Sequence, residues 1–402
     1  SKPHKMMNRN PIAITGMGII SAIGMNVPEN EKSLLESRHG IKKYAIQDSL
    51  IHREVLVGEI LKSNEELYAE LNLNPEEAFT RSTLLGLVAA KEAVNSAGID
   101  TNDGFRTGFI SATTVGGMDA TEKFYFDFLE SDENLKFIPT QNCGIHAEQI
   151  AEILGIKDYI TTISTACSSA ANAIMLGARM IKAGLLDRAI VGGTDSLSAF
   201  TINGFSSLMI YSDEHCTPFD ENRKGLNLGE AAAYIVLESE EVSKGKNIFG
   251  FLSGYGNAND AFHQTASSDD GEGAYLAIQK ALEISGLNPS EIDYINAHGT
   301  ATPNNDLSEG KSLQRIFENL PDFSSTKAFT GHTLAAAGAV EAVFSLLALK
   351  NQSVFPNLNF QNKIEALGIV PQTKLKQKEI KNVLSNSLGF GGNCSSLIFS
   401  KN

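Results

Sequence analysis

The stretch of sequence that decides the fold is YITTISTACSSAANAIMLGARMIKAG, at residues 159–184. Its start, YITTIST, is rich in β-branched and aromatic residues and predicts a strand. Residues 168–184 predict a helix that is apolar on nearly every face apart from Arg179 and Lys182, which is typical of a helix buried inside a protein. Cys167 lies where the strand meets this helix. We therefore expect its sulfur beside backbone N–H groups that have no partner within the helix.

Strand and helix patterns alternate throughout the chain, which predicts a layered α/β fold. The other strand-like runs of the first series are PIAITGM at 11–17, TGFISAT at 107–113, RAIVGGT at 188–194 and AAYIVLES at 232–239. A comparable series follows SKGKN at 243–247, with FGFLSGYG at 249–256, IDYINAHGT at 292–300, TKAFTGH at 326–332, NVLSNSLGFGG at 382–392 and SSLIFS at 395–400. The matching order predicts two α/β halves, residues 1–242 and 243–402, although no sequence repeat is visible.

Three further stretches predict helices. Residues 333–349 resemble 168–184 in being apolar on nearly every face, which predicts a second buried helix. Residues 273–286 predict an amphipathic helix that ends at Gly286 in a left-handed conformation. Residues 60–82 predict an exposed helix.

Composition excludes several classes of protein. The chain has 402 residues, of which 42% are hydrophobic, and this is enough to bury a large core. A formal net charge of −14 argues against a nucleic-acid-binding protein, because neutralising phosphates requires a concentration of Lys and Arg. The N-terminal SKPHKMMNRN lacks the apolar segment of a signal peptide, and no later run matches the roughly 18 apolar residues of a membrane span. We therefore predict a soluble protein without membrane insertion.

The four cysteines, Cys143, Cys167, Cys216 and Cys394, are far apart and show no CxxC spacing. This pattern indicates neither a disulfide framework nor a zinc site, and it fits a reducing cytoplasm best. A free cysteine has a pKa of about 8.5, and a helix N-terminus or a nearby cation lowers it, which favours a thiolate nucleophile at Cys167. The alternative is an inert thiol, since free cysteine is among the most buried residue types.

Two histidine motifs favour the nucleophile. His298 lies in NAHGTATPNND at 296–306, where a strand end runs into a loop. In TKAFTGHTLAAAG at 326–338, a strand end is expected to deliver Lys327 and His332 just before a helix. Two imidazoles and one ammonium are thus expected to converge on the sulfur from separate loops. A glycine-rich turn, LGFGGNCSS at 388–396, offers backbone N–H groups to a ligand oxygen.

Four of these motifs together resemble the β-ketoacyl synthases of the thiolase superfamily. They are TACSSA at 165–170, HGTATPNND at 298–306, TKAFTGH at 326–332 and GFGG at 389–392, and their order and spacing match that family. The resemblance extends through TPFDENRKGLNLGEAAAYIVLE at 217–238 to almost the whole chain. It implies a thiolase-like five-layered αβαβα fold with two pseudo-equivalent halves.

The resemblance also implies a role for each motif residue. Cys167 would carry the acyl chain as a thioester, His298 and His332 would serve malonyl decarboxylation and condensation, and Lys327 would be the supporting cation. The backbone N–H groups of Cys167 and Phe390 would bind the acyl oxygen, and Phe390 matches a gating phenylalanine. The remaining implied roles are pairing with Lys327 for Glu309, contact with phosphopantetheine for Thr300 and Thr302, and lining of the acyl pocket across a dimer interface for Val115.

The function implied is an acyltransferase, a β-ketoacyl-acyl-carrier-protein synthase, that performs decarboxylative Claisen condensation of an acyl thioester with malonyl-acyl-carrier protein in fatty-acid elongation. It implies an acyl carrier protein as partner, a homodimer or a ketosynthase heterodimer, and neither a metal nor an organic cofactor. Because carrier proteins are commonly acidic, we expect a local cluster of Lys and Arg around the pocket mouth.

Three alternatives stay open. A thiolase would use a second cysteine near Cys394, but the presence of both histidine motifs argues against it. A non-catalytic partner subunit, of the chain-length-factor kind, usually lacks the nucleophile that is present here. A ketosynthase of a dedicated type II polyketide or polyene pathway is favoured by the Ser-Ser that follows Cys167. Leu226 begins LNLGEAAAY, where the family usually has Phe-Val-x-Gly-Glu-Gly-Ala-Gly, and this departure puts loop motion and acyl specificity in doubt.

Overall fold

The computed structural model describes residues 11–45, 54–260 and 267–402. Its strands are β1 Ile12–Ser21, β2 Ile41–Lys43, β3 Leu56–Gly58, β4 Thr107–Ala112, β5 Tyr159–Ile163, β6 Arg188–Asp195, β7 Ala231–Glu238, β8 Gly250–Asn259, β9 Tyr294–Asn296, β10 Asp322–Ser324, β11 Ser353–Val354, β12 Lys376–Gln377, β13 Asn382–Leu388 and β14 Asn393–Ser400. Its α-helices are α1 Val27–Leu35, α2 Asn64–Glu70, α3 Arg81–Ala97, α4 Met118–Glu130, α5 Ile145–Leu154, α6 Ser169–Lys182, α7 Ala199–Ser207, α8 Glu240–Ser243, α9 Glu272–Ser285, α10 Pro303–Ile316, α11 Lys327–Thr330 and α12 Ala337–Asn351.

Ten strands form one continuous hydrogen-bonded arrangement in the order β10-β9-β13-β14-β8-β1-β7-β6-β4-β5. The first half contributes β1, β4, β5, β6 and β7, and the second half contributes β8, β9, β10, β13 and β14. When the five strands of each half are counted in chain order, both halves have the same spatial order, which is third, second, fourth, fifth and first. The strand directions also match, because the first strand is antiparallel to the fifth and the second is parallel to the third in both halves. The halves meet where β1 pairs with β8, from Ile12 opposite Leu252 to Ile14 opposite Gly250.

Helices form three layers around these strands. Helices α6 and α12 contact each other and lie between the two halves of the strand arrangement, where α6 packs on β4 and β6 and α12 packs on β7 and β13. Helices α3 and α5 cover the outer face of the first half, and α9 covers that of the second with α10 packed on it. The expected five-layered αβαβα fold with two pseudo-equivalent halves is confirmed. The division of the chain between residues 242 and 243 stays a prediction.

The apolar segment Leu334–Asn351, which includes α12, is long and apolar enough to cross a membrane by length and composition alone. The sequence had indicated no run of this length. However, 89% of these residues are buried inside the protein, which is the environment of a core helix. Its burial therefore follows from its central place between the two halves.

The prediction of one exposed helix over residues 60–82 is wrong. Helix α2 ends at Glu70, Pro75 lies in the following turn, and α3 begins only at Arg81. Proline has no N–H to donate and clashes with the preceding turn, so a helix rarely continues through it. Arg81 is itself fully buried against Glu230, with the two side chains 2.8 Å apart. By contrast, α9 ends at Gly286 with a φ of 69°, as the sequence predicted.

Candidate active site

Cys167 lies in the short connection between β5 and α6, directly before the N-cap residue Ser168. The preceding Ala166 has a φ of 53°, a left-handed conformation that costs a residue with a side chain about 1–2 kcal/mol. Local hydrogen bonds hold this turn. The Ser169 hydroxyl accepts from the backbone N–H of Thr165 at 2.7 Å, and the Ser168 hydroxyl donates to the backbone oxygen of Thr165 at 2.8 Å. The two serines that follow the cysteine thus fix the turn that presents the sulfur.

Two imidazoles from the second half of the chain meet at the cleft beside Cys167, and one of them contacts its sulfur. Nε2 of His332 lies 3.0 Å from Sγ of Cys167. The rings of His298 and His332 are nearly perpendicular, with centroids 5.3 Å apart. All three side chains are buried. The structure therefore brings together the three residues that the motifs singled out, although Cys167 lies more than a hundred residues before either histidine.

The hydrogen bonds to the two rings define their tautomers. The Lys327 ammonium donates to Nδ1 of His298 at 3.2 Å, and the backbone N–H of Leu334 donates to Nδ1 of His332 at 3.3 Å. Burial, reinforced by the Lys327 charge, lowers the pKa of both imidazoles well below 6.5, so both are neutral at pH 7. A neutral ring that accepts at Nδ1 carries its proton at Nε2. Two Nε2–H donors are therefore available, one of them next to the sulfur.

The expected thiolate at Cys167 is wrong for the resting protein. Burial raises the pKa of the Cys167 thiol to about 12, while Lys327 and the backbone N–H of Phe390 lower it and Asp195 raises it. The position at the start of α6 does not compensate for the loss of water around the sulfur. The thiol is therefore protonated at rest, and the neighbouring donors can stabilise negative charge on sulfur only as it develops during reaction.

The Lys327 ammonium pairs with Glu341 rather than with Glu309. Its Nζ lies 2.9 Å from Oε2 of Glu341, and both side chains are buried. Burial raises the pKa of Glu341 to about 7, although Lys327 acts in the opposite direction. Sequence reasoning missed this partner. A carboxylate in the otherwise apolar stretch 333–349 was the signal that pointed to it.

Glu309 has a different role from the one expected. Its carboxylate accepts the backbone N–H groups of His298 and Gly299, each at 2.8 Å. Burial raises the pKa of Glu309 to about 6, and the two backbone donors oppose that shift. Because both donors lie in the His298 loop, Glu309 supports the backbone of that loop and not the ammonium of Lys327.

The expectation that a strand end delivers Lys327 and His332 is also wrong in detail. Strand β10 ends at Ser324, and Lys327 begins the short helix α11. This helix ends at Gly331, which has a φ of 75°. The chain then reaches His332 in a short parallel bridge with Leu228. A helical turn and a glycine therefore separate the lysine from the histidine.

A cleft of about 230 Å³ leads to these groups. Cys167, His298 and His332 line it, together with Thr300 and Thr302, whose hydroxyl oxygens are 2.8 Å apart. The hydrogen bond between the two threonines satisfies part of the turn, and both side chains still border the cleft. The cleft therefore gives a ligand access from the surface to the sulfur.

Phe390 lines the same cleft and its ring stacks on that of Phe205, with centroids 5.4 Å apart. Val115 does not border the cleft and is half-buried in an apolar cluster to which Phe205 also belongs. Leu226, the first residue of the departure from the family pattern, borders the cleft as well. Apolar side chains thus continue from the cleft through Phe205 towards Val115.

The expected cluster of basic residues at the pocket mouth does not line the cleft. Arg223 lies next to the mouth, where its guanidinium donates to the backbone oxygens of Thr302 and Pro303. The adjacent Lys224 is exposed and pairs with Glu214 at 3.1 Å. Apolar Met209, with 88% of its surface exposed, borders the cleft instead. The mouth therefore combines two basic residues with an apolar one.

Cys394 lies away from the cleft. It is buried in a small cluster with Ala274, Ala277 and Leu388, and burial raises the pKa of its thiol to about 12. A second cysteine that acts on the same substrate as Cys167 would have to border the same cleft. This placement does not support the thiolase alternative.

Comparison with known proteins agrees with this geometry. The N-terminal domain of β-ketoacyl synthases matches residues 9–243, and the C-terminal domain matches residues 249–361. A 3-oxoacyl-[acyl-carrier-protein] synthase 2 of Staphylococcus aureus (strain N315) is 34% identical over 98% of this chain and 99% of its own length. The enzyme of the same name from Vibrio cholerae is 31% identical over 98% of this chain and 100% of its own length.

Solved structures give the same result for the fold. The ishigamide ketosynthase/chain length factor is similar with a TM-score of 0.91 and 27% identity, over 98% of this chain and 100% of that one. A ketosynthase in complex with its chain length factor from Xenorhabdus doucetiae has a TM-score of 0.86 and 32% identity, over 98% of both chains. A β-ketoacyl synthase from Burkholderia phymatum has a TM-score of 0.85 and 25% identity, over 98% of this chain and 99% of that one.

Proposed function

This chain belongs to the β-ketoacyl synthase family and is an enzyme of the acyltransferase type, and on that premise we propose that it is a β-ketoacyl-acyl-carrier-protein synthase of fatty-acid elongation. It would join an acyl group to a malonyl-derived carbanion and release carbon dioxide. The observation that carries the proposal is the 3.0 Å approach of Nε2 of His332 to Sγ of Cys167, inside a cleft that His298 also lines.

In the first step, Sγ of Cys167 attacks the carbonyl carbon of an acyl thioester, and the thiol of the carrier's phosphopantetheine leaves. The negative charge that develops on the acyl oxygen requires positioned donors. The backbone N–H groups of Cys167 and Phe390 are suited to this, and that of Phe390 already approaches the sulfur. Thr300 and Thr302 border the path along which the phosphopantetheine would enter.

In the second step, a malonyl thioester loses carbon dioxide, and the resulting enolate carbon attacks the acyl group on Cys167. The enolate oxygen needs two donors, and the Nε2–H groups of His298 and His332 can supply them. Lys327 supports this arrangement because its ammonium holds Nδ1 of His298 as an acceptor. The bond between the acyl carbon and Sγ of Cys167 then breaks, the β-ketoacyl group stays on the carrier as its thioester, and the Cys167 thiolate takes up a proton from solvent.

The partner that we propose is an acyl carrier protein. Curated relatives at 31–34% identity carry the carrier protein in their names. Carrier proteins are commonly acidic, and Lys224, which follows Arg223 and pairs with Glu214, is an exposed cation on this side of the protein. We further propose a cytoplasmic location, which the four free cysteines support.

A homodimer is also proposed. Strand β5 is the outer strand of the first half, so one side of it has no neighbouring strand among the described residues. On α4, the side chains of Tyr125, Phe126 and Leu129 are 53%, 74% and 70% exposed. An open strand edge and a group of exposed apolar side chains are both surfaces that proteins usually cover. Native mass spectrometry should give twice the chain mass, and Phe126→Asp should reduce it to the monomer.

A second candidate function is supported by a separate observation. Two structures at TM-scores of 0.91 and 0.86 are a ketosynthase/chain length factor and a ketosynthase bound to its chain length factor. This favours a ketosynthase of a dedicated polyketide or polyene pathway, paired with a chain-length-factor subunit. The non-catalytic subunit itself is not supported, since Cys167 and both histidines are present and converge.

The test of the proposed function is incubation of the enzyme with a panel of acyl carrier proteins that bear chains of different length, followed by malonyl carrier. We expect an acyl adduct on the Cys167 peptide, which disappears when malonyl carrier is added, with release of carbon dioxide and a β-ketoacyl product. Saturated chains should be accepted if the enzyme serves fatty-acid elongation, whereas acceptance of polyunsaturated or polyketo chains alone would favour the second candidate. Absence of any adduct would exclude both.

A further inference from the structure

Asp195, at the end of β6, is a buried carboxylate that the mechanism above does not use. Its Oδ1 accepts from the Thr113 hydroxyl at 2.8 Å, from the backbone N–H of Thr114 at 3.1 Å and from that of Val115 at 3.2 Å. Its Oδ2 accepts from the Thr114 hydroxyl and from the backbone N–H of Ala335, each at 2.8 Å. Burial raises the pKa of Asp195, and the donors from Thr113, Thr114 and Ala335 oppose that shift because they stabilise the ionised carboxylate.

These contacts join two segments that serve different parts of the reaction. Residues 113–115 follow β4 and include Val115, which continues the apolar region beyond Phe205. Ala335 lies in the 3₁₀ turn Leu334–Ala336, which follows His332. Strand β6 packs closely against both segments. A Cβ atom placed on its Gly193 would come within 2.9 Å of the oxygen of Ala112, directly before residues 113–115, and within 3.2 Å of the oxygen of Ala335. One side chain thus holds both segments at a place where the backbones already touch.

The segment after His332 needs such support. Leu334 has a φ of 55°, and a left-handed residue with a large side chain persists only when its surroundings hold it. Its own N–H donates to Nδ1 of His332, and the next N–H, that of Ala335, donates to Asp195. Release of Ala335 would therefore loosen the contact that orients the imidazole.

We propose that Asp195 is a positioning residue that fixes, through the two oxygens of one carboxylate, both the 113–115 wall of the acyl pocket and the orientation of the His332 ring against Cys167. The proposal deepens the proposed function, because it assigns a specificity-setting and an orienting role within the same site. The two oxygens have different roles. Oδ1 accepts from residues 113–115, whereas Oδ2 accepts from the backbone N–H of Ala335 and from the Thr114 hydroxyl.

The charge of Asp195 gives a readout that a purely structural residue lacks. The ammonium of Lys327 lowers the pKa of the Cys167 thiol, and the carboxylates of Asp195 and Glu341 raise it, while the neutral ring of His332 lies 3.0 Å from the sulfur. Removal of the Asp195 charge should therefore move the pH midpoint for alkylation of Cys167 to lower pH. The readout has to be taken on the Cys167 peptide, because Asp195 also raises the pKa of the half-buried Cys143.

The experiment compares wild type with Asp195→Asn and Thr113→Val. In Asp195→Asn the amide oxygen keeps its place facing residues 113–115, because the opposite orientation would set the amide against two backbone donors. The NH₂ group then faces the N–H of Ala335, and that contact is lost. We expect kcat for condensation to fall on the order of 100-fold, as misplacement of a reacting group by about 1 Å does, with an unchanged KM and a lower alkylation midpoint.

Thr113→Val removes one donor to Oδ1 and keeps the charge. It should change the ratio of rates for short and long acyl carriers and leave the alkylation midpoint of Cys167 in place. Glu92→Gln is the matched control, since it also removes a carboxylate, here half-buried, that accepts two backbone N–H groups, those of Ile19 and Val27, and should behave as wild type.

Circular dichroism checks that each variant folds. If Asp195→Asn folds with wild-type kcat and an unshifted midpoint, the proposal is wrong. If it does not fold, Thr113→Val decides: an altered chain-length ratio supports the proposal and an unaltered one overturns it. A wild-type enzyme that condenses no substrate would refute the proposed function instead, while the alkylation midpoints of wild type and Asp195→Asn would still test the effect of Asp195 on the thiol.

Discussion

Strands β5 and β10 occupy equivalent positions in the two halves, and each leads into one of the central helices, α6 or α12. The two connections differ in the functional side chains that they carry. In the first half, residues 164–168 join β5 to α6 and present Cys167. In the second half, residues 325–336 join β10 to α12 and present Lys327 and His332. The shared topology therefore places both connections at the same interface, since α6 and α12 contact each other there. One half supplies the nucleophile, and the other supplies a cation and a donor.

The difference in length determines how each connection is held. The short one contains the left-handed Ala166 and is held by the hydroxyl groups of Ser168 and Ser169, with Oδ1 of Asn393 from the second half 2.8 Å from the Ser168 hydroxyl. The long one has room for a helical turn and a glycine at residue 331, but it depends on carboxylates outside it, Glu341 for Lys327 and Asp195 for Ala335. Each connection thus contains a non-glycine left-handed residue, Ala166 or Leu334, that its surroundings hold: hydroxyl and amide groups in the short connection, buried carboxylates in the long one.

The largest expected effect comes from removing the one group that the short connection contributes. Cys167→Ala should abolish the acyl adduct and lower the condensation rate on the order of 10⁴-fold or more, because no other thiol borders the cleft among the described residues. Intact mass and product analysis measure both steps. Cys394→Ala serves as control and should keep activity; an adduct that persists without Cys167 would break the comparison.

The next effect concerns the external support of the long connection. Lys327→Met leaves the buried carboxylate of Glu341 without its cation, and this should lower the free energy of unfolding by about 3–5 kcal/mol. The double variant Lys327→Met/Glu341→Gln should recover part of that loss, because it leaves no buried charge unpaired. Urea denaturation measures all three proteins. Equal stability of the single variant and wild type would show that the connection does not depend on this pair.

The pH dependence of stability gives a smaller effect with a defined sign. The pKa of His332 in the folded protein is well below 6.5, so the unfolded chain binds a proton more readily below that pH. Acidification below pH 6.5 should therefore lower the free energy of unfolding, by up to about 1.4 kcal/mol per pH unit for this one group. Glu341 has the opposite effect between about pH 4.5 and pH 7. Because its pKa in the folded protein is raised to about 7, acidification through this range raises the free energy of unfolding.

The His332 contribution is isolated by a difference. The free energy of unfolding of wild type minus that of His332→Gln should decrease as the pH falls from 6.5 to 5, because only wild type carries this imidazole. Contributions of Glu341 and the other histidines largely cancel in the subtraction. A difference that is independent of pH would mean that the His332 ring is already protonated or freely solvated.

The smallest effect tests the strain in the short connection. Ala166→Gly removes the left-handed penalty but increases the freedom of the unfolded chain, so the free energy of unfolding should rise by no more than about 1 kcal/mol. Ala178→Gly, in the interior of α6, should lower it instead. If both substitutions destabilise the protein equally, Ala166 is not strained.

The sequence predicted most of the architecture because strand and helix patterns are local. The strands at 107–112, 159–163 and 188–195, both buried helices and the left-handed end at Gly286 lie where the patterns indicated. The predicted helix over residues 60–82 was too long, because Pro75 interrupts helical structure between α2 and α3. The identical strand order of the two halves could not be derived, since it depends on pairing between strands far apart in sequence.

For the site, the motifs identified Cys167, His298, His332 and Lys327, and the fold brings these side chains together. The protonation state of the thiol was wrong, because burial is a tertiary property that outweighs the local effect of a helix N-terminus. The predicted pairing of Lys327 with Glu309 instead of Glu341 was also wrong because such a contact depends on the tertiary structure. Asp195 escaped notice because its five donors come from two segments that only the fold brings beside it.

The central claim is that the first half accepts the acyl group and the second half carries out its condensation, and His298→Ala tests it most directly. The variant is incubated with acyl carrier, then with malonyl carrier, and the Cys167 peptide is analysed by mass spectrometry over time. We predict that acylation of Cys167 stays measurable while transfer to product slows on the order of 100-fold, so that the adduct accumulates. Loss of acylation itself, or turnover of the adduct at the wild-type rate, would contradict this division of roles.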